Sequence, residues 1–165
     1  MNKEKNKKSI VERPKIKLTE DILFKVLIAE IAGHRGKIDT ATNYYLDLAR
    51  KTLDPAIIER ATRIAVYARN DVASYEAASL WVDVDPKNPD PHQILTVMYL
   101  RQNNLNEALR HLEIILDASE GEFDQKLWMV ANFLGGEEDK SMVIKLMESL
   151  MDKHMNDVDA LYAYA

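Results

Sequence analysis

Residues 89 to 118 read PDPHQILTVMYLRQNNLNEALRHLEIILDA, and this stretch decides the fold. Leu95, Thr96 and Tyr99 fall three and four apart, and so do Leu105, Ala108, Leu112 and Ile115. That is the spacing of a helix face, so each set predicts a short amphipathic helix. Asn103-Asn104 between them predicts a tight turn. The stretch is therefore a helix–turn–helix hairpin.

Working outward, the same hairpin recurs. Units counted from Ile22, Pro55, Pro89, Asp124 and Val158 begin 33, 34, 35 and 34 residues apart. The seventh residue of each full unit is Ile28, Ala61, Leu95 or Val130. The eighth is small: Ala29, Thr62, Thr96 or Ala131. The twenty-seventh is Leu48, Trp81, Ile115 or Leu150. Differences of one residue between units are absorbed in turns. The match is fullest in units two to four, and unit one rests mostly on its second helix.

Each element has a local reason. Thr19 predicts an N-cap, with Glu20 and Asp21 in the first turn where the helix dipole favours negative charge. The first helix carries Leu23, Phe24, Leu27, Ile28 and Ile31 and is expected to run to about Gly33, where the stretch Gly33-His34-Arg35-Gly36 ends it because glycine accepts a left-handed turn. The second runs from about Asp39 to Thr52, with Ile38, Ala41, Tyr45 and Leu48 on its packing side. Pro55 fits the first turn of a third helix carrying Ile58, Ala61, Ala65 and Ala68. After Asn70-Asp71, the fourth carries Ser74, Ala77, Ala78 and Trp81 and stops near Asp85-Pro86. Alanine and serine allow close helix approach, and Trp81 fills space between hairpins. The opening stretch supplies helices five and six, and Gly121 ends that unit. A seventh helix carries Leu127, Val130, Ala131 and Leu134, and Gly135-Gly136 turns the chain. An eighth, from about Glu138 to His154, carries Val143, Met147 and Leu150. Val158 to Ala165 reads as the start of a ninth.

Composition agrees with an all-α chain. Glycine and proline number 5 each in 165 residues. Leu, Ala, Glu, Lys and Met fill the segments, which favours helix. Net charge is −5, but the first seventeen residues hold seven basic side chains against two acidic ones, leaving −10 on the remainder. Residues 1-18 are thus expected to be a basic, disordered tail before a repeat domain spanning 19-165. The acidic body argues against nucleic acid as a partner. The chain has no cysteine, which excludes disulfides, thiolate metal sites and cysteine nucleophiles. The most apolar run, Ile22 to Ala32, is too short to span a membrane and contains Lys25 and Glu30. The basic start is not followed by an apolar run, so no signal segment is read and a cytoplasmic location is expected.

The hairpin matches the tetratricopeptide pattern, a helix–turn–helix unit of about 34 residues. Residues 20 to 165 resemble that superfamily. The resemblance implies an α-α superhelix of about four repeats, 22-54, 55-88, 89-123 and 124-157, with 158-165 opening a fifth. The fourth position departs from the family's tryptophan, holding Lys25, Ile58, His92 and Leu127, and Met155 stands where a closing proline is usual. More narrowly, LIAEIAGHRGKIDTATNYYLDLARKTLDPAIIERATRIAVYARND and AASLWVDVDPKNPDPHQILTVMYLRQNNLNEALRHLE resemble the amino-terminal part of proteobacterial tetratricopeptide lipoproteins. That resemblance implies an adaptor on the periplasmic face of the outer membrane, gathering a protease or cell-wall enzymes. The chain departs from that group in having no signal segment and no cysteine to lipidate.

In a superhelix of such hairpins, the first helix of each unit lines the concave face. Its second, fifth, ninth, twelfth and thirteenth positions are expected to face the groove, and the residues taken from them are Val26 and Glu30; Glu59, Arg63 and Tyr67; Gln93, Val97 and Arg101; Trp128 and Asn132; and Tyr162. Aromatic, arginine and amide groups together suit an extended peptide or a partner helix. Val26 and Glu30 replace the lysine and asparagine with which chaperone-tail binders of the superfamily hold a carboxylate, so that mode is not expected.

Chemistry is sparse. His34, His92, His111 and His154 share no metal-ligand spacing, and most are expected on helix surfaces or in turns. Gly33 and Gly36 do not make a phosphate loop. Glu137-Glu138-Asp139 lacks alternating oxygen ligands and reads as a helix start rather than a calcium loop. Met142, Met147, Met151 and Met155 form a stripe suited to packing against a further repeat, or to a soft partner surface. No nucleophile–base pair is visible. The expectation is a non-catalytic scaffold with no cofactor. The alternative is a piece of a longer repeat protein with no binding activity of its own, because the fifth unit stops after eight mostly apolar residues. An uncapped end of that kind invites self-association.

Overall fold

The computed structural model describes residues 13–155. Among them the regular structure is eight α-helices and no strand. The helices are α1 (Glu20–His34), α2 (Ile38–Thr52), α3 (Pro55–Tyr67), α4 (Asp71–Val84), α5 (Pro89–Arg101), α6 (Leu105–Ala118), α7 (Phe123–Leu134) and α8 (Lys140–Met155). These are the helices expected from the sequence in unit after unit. The expected ninth helix and most of the basic tail lie outside the described residues. The chain forms two compact units, one ending at Pro91 and one beginning at His92.

In the first unit, α1 packs on α2, α2 on α3 and α3 on α4. Side chains cap the helix starts. Thr19 Oγ1 accepts from Ile22 N at 3.3 Å, Asp54 Oδ1 from Ala56 N at 2.9 Å, and Asn70 Oδ1 from Ala73 N at 3.0 Å. Each of these bonds satisfies a backbone donor that the helix itself leaves open. The core joins Tyr45, Leu48, Ile58 and Trp81 with Ala29, Ala49, Ala61, Ala65 and Ala77, all buried. Thr62, at the small eighth position, is fully buried because its hydroxyl donates to Ile58 O at 2.8 Å. Among the described residues no buried side-chain polar atom lacks a partner.

The hairpin turns of the first three repeats share one geometry. The backbone turns left-handed at Gly36 (φ 70°), Arg69 (φ 52°) and Asn103 (φ 56°), the fifteenth residue of each repeat. The next amide then bonds back across the turn: Lys37 N to Ala32 O at 2.9 Å, Asn70 N to Ala65 O at 3.1 Å, and Asn104 N to Tyr99 O at 2.9 Å. This is the Schellman closure. Gly36, the last residue of the expected Gly33-His34-Arg35-Gly36 stretch, is therefore the left-handed residue that ends α1. Gly33 lies inside the helix, where a Cβ would sit 4.0 Å from that of Ala41. The fourth repeat turns differently, since its fifteenth residue, Glu138, is not left-handed.

α1 corrects a second expectation. Its buried residues are Ala29 and Ala32, while Leu23, Phe24, Leu27 and Ile31 are about half exposed. The helix is apolar nearly all round, so spacing alone could not say which side faces the core.

The second unit closes around Leu100, Leu112, Ile115, Val130, Leu134, Leu146 and Leu150, with α6 packed against α8. Two histidines expected at the surface are in its interior. His92 is 1% and His111 2% exposed, with their Nδ1 atoms 2.7 Å apart. The His111 ring stacks on Tyr99, centroids 5.4 Å apart, and Arg110 Nη2 lies 3.2 Å from its Nε2. An arginine only donates, so His111 accepts at Nε2 and its Nδ1–H donates to Nδ1 of His92. Burial, then the Arg110 charge, push the His111 pKa down to about 4. At neutral pH it is an uncharged core residue.

The fourth repeat departs from its predecessors. Ala131, expected inside, is exposed. In α8 the buried residues are Met142, Leu146 and Leu150, with Val143 and Met147 only partly covered. The buried stripe thus starts one residue earlier than expected. The helix itself starts at Lys140, two residues later than expected, because Asp139 Oδ1 accepts from Met142 N at 3.1 Å. Of the methionine stripe, Met142 is core and Met147 packs against it. Arg101 and Glu137 make a paired hydrogen bond, Nε and Nη2 to the two carboxylate oxygens at 2.9 and 3.0 Å.

Candidate functional site

In the first unit, a cavity of about 330 Å³ lies where α1, α2 and α3 meet. Ala29 and Gly33 from α1, Ile38 and Ala41 from α2, and Ile64 from α3 make an apolar floor. Glu30, His34, Arg60, Arg63 and Tyr67 surround the mouth. The floor is open because glycine and alanine occupy the α1–α2 contact. His34, Arg60, Arg63 and Tyr67 at the mouth are exposed, and Glu30 is half-buried.

The rim is internally compensated. Tyr45 OH donates to Glu30 Oε1 through a short hydrogen bond. Arg60 Nη2 lies 3.5 Å from the same oxygen, and its guanidinium sits 5.7 Å above the Tyr45 ring. Burial and the neighbouring Glu30 raise the Tyr45 phenol pKa, so it stays a donor. Arg63 Nη2 pairs with Glu59 Oε1 at 2.6 Å, one turn away. His34 is outermost, with a side chain 85% exposed and Nε2 4.0 Å from Glu30. Exposed pairs of this kind are worth at most about 1 kcal/mol, so a ligand can displace them cheaply. Tyr67, 76% exposed, stands at the edge with its ring available.

Behind the site, a charge cluster fixes α1 against α2. Lys25 Nζ lies 2.5 Å from Asp47 Oδ2 and 3.2 Å from Asp21, and Lys51 reaches Asp21 at 2.9 Å. Lys51 and Lys25 hold the Asp21 carboxyl below its usual range, and Lys25 does the same for Asp47.

The expected groove residues separate into groups. Glu30, Arg63 and Tyr67 come together at this cavity, and Glu59 joins them through Arg63. Val26 is partly buried against the core of the first unit. In the second unit Gln93 and Val97 are half-buried, and Val97 packs into the core cluster. Arg101 is held by Glu137. Trp128, 72% exposed, and exposed Asn132 share one face of α7. Tyr162 lies outside the described residues. Spacing missed Arg60 and His34. Arg60 stands three residues before Arg63 and Glu30 four before His34, so helical neighbours of the chosen positions were the available signal.

Among the described residues, no group of three or more histidine, aspartate or glutamate side chains is placed to hold a metal ion. No described helix is long and apolar enough to cross a membrane. No family model matches the chain. The chain is similar to the TPR repeat-containing protein PA4667 of Pseudomonas aeruginosa, 31% identical over 150 residues. The match covers 89% of this chain and 25% of that protein, so the chain spans about a quarter of its relative's length.

Proposed function

We propose that the chain, whose described hairpins are consistent with the tetratricopeptide type, is a non-catalytic scaffold that holds a peptide or partner helix against the first helices of its repeats. Tetratricopeptide arrays generally act as protein-binding scaffolds rather than as enzymes. The observation that carries the proposal is the cavity shared by Glu30, Arg63 and Tyr67. An apolar floor takes an aliphatic or aromatic side chain, and the surrounding arginines, carboxylate and phenol orient the peptide backbone. Exposed Trp128 gives the second unit an aromatic anchor of the same kind. Resemblance to lipoprotein adaptors supports a protease or a cell-wall enzyme as the partner class.

The test is selection of binding peptides from a displayed library, followed by fluorescence anisotropy. Tyr67→Ala and Arg63→Glu should each weaken binding about tenfold or more, as loss of a central anchor does. Helicity by circular dichroism should not change, since both side chains are exposed. Selected peptides that bind both variants as tightly as the parent chain would refute the site.

A further inference from the structure

The outward side of α1 is an apolar face with no described helix upon it. Leu23, Leu27 and Ile31 are 47, 52 and 52% exposed, and Phe24 beside them is 59% exposed. Residues four apart lie one above another on a helix, so these side chains form a single stripe. Ile57 and Ile64 hold the repeat positions of Phe24 and Ile31, and both are partly buried against the core because α2 packs on α3. At the repeat positions of Leu23 and Leu27, α3 instead carries exposed Ala56 and Arg60, so the contiguous apolar face belongs to α1 and not to α3, and such a face marks an interaction surface.

The charges at its ends identify the occupant. Glu20 opens the stripe, and the Arg35 charge closes it beside the His34 ring, all exposed. Leu27 lies midway in sequence between Leu23 and Ile31, and also midway between Glu20 and His34. Two copies of the helix laid antiparallel with Leu27 on the axis therefore match throughout. Leu23 meets Ile31 of the second copy, and Glu20 meets His34 and Arg35 of the second copy, twice over by symmetry. Parallel pairing would instead set Glu20 on Glu20 and Arg35 on Arg35. We propose that α1 is a homodimerisation helix, pairing antiparallel with α1 of a second copy about a two-fold axis through Leu27. Such an isologous contact closes at two copies. One helix pair covers less than the ~800 Å² per partner of a standard interface, so the dimer should form reversibly with concentration.

The full chain lacks cysteine, which permits a clean test. Its mass in sedimentation equilibrium should rise with concentration from 18.9 kDa towards twice that value. Leu27→Cys should oxidise to a cross-linked dimer. Leu23→Cys should not link to itself, because antiparallel pairing places the two copies of residue 23 about 12 Å apart along the helix, beyond the ~7 Å Cα span of a disulfide. A mixture of Leu23→Cys and Ile31→Cys chains should cross-link. Leu27→Glu should remain monomeric with unchanged helicity. Glu20→Lys should weaken the dimer, and adding His34→Glu and Arg35→Glu in the same chain should restore it. A mass of 18.9 kDa at every concentration, self-linking of Leu23→Cys as efficient as that of Leu27→Cys, or a dimer that survives Leu27→Glu would overturn the proposal.

Discussion

Replacing Arg69 by glycine should stabilise the first unit, although it removes a charged side chain and adds no contact. Arg69 occupies the left-handed turn between α3 and α4 at φ 52°. A side chain in that region costs about 1–2 kcal/mol, because Cβ crowds the following carbonyl. Glycine escapes this strain but brings back roughly 0.4–1 kcal/mol of unfolded-chain entropy. The net expectation for Arg69→Gly is a gain of about 0.5–1 kcal/mol. The Arg69 side chain is exposed and makes no ion pair among the described residues, so little is lost against that gain. The sister turn supplies the control. Gly36 has the same role at φ 70°, and a Cβ built there meets nothing within 4 Å. Gly36→Ala should therefore cost about 1 kcal/mol through backbone strain alone, with no clash to confuse the reading. Asn103→Gly, at the third such turn, should change stability by only a few tenths of a kcal/mol, since asparagine tolerates this conformation. Urea denaturation followed by circular dichroism measures all three. If Arg69→Gly lowers stability, or Gly36→Ala leaves it unchanged, the shared-turn reasoning is wrong.

Other outcomes follow from the core and the caps. His111 has a folded pKa of about 4 against an ordinary 6.5, so below pH 6.5 the unfolded chain takes up a proton that the folded chain refuses. Its stabilising contribution is complete above pH 6.5 and falls as pH drops towards 4, by roughly 2–3 kcal/mol, a slope that His111→Gln should remove from the denaturation profile. Carboxylates lowered by neighbouring cations, Asp21 by Lys51 and Lys25, Asp47 by Lys25 and Glu76 by Arg50, lose their contributions as pH falls through their depressed folded pKa values. Leu112→Ala, at a fully buried site, should cost about 2–5 kcal/mol in equilibrium unfolding. Asp54→Ala removes bonds to both Ala56 N and Ile57 N and should cost about 1 kcal/mol by the same assay.

Much of the architecture was legible in the chain of residues. Helix spacing, capping residues and the recurrence near 34 residues place all eight described helices, because each signal is local and acts within one or two turns. Trp81, Ile115 and Leu150 at one repeat position are buried as expected. Arg63 and Tyr67 lie one turn apart on a single helix, so helix spacing alone sets them on one face. The failures occur where the answer depends on a neighbour. Apolar spacing showed that α1 is a helix, but a helix apolar all round does not declare its inner face. Histidine carries no mark of burial until a second histidine stands 2.7 Å away to share a proton.

The sequence by itself determined the helices, their turns and their order, since hydrogen bonding along the backbone and the apolar period are properties of short segments. Only the tertiary structure decided which of those faces are spent on the core, which meet at the α1–α2–α3 cavity, and which remain open. Burial is a relation between segments far apart in the chain, and no single segment encodes it.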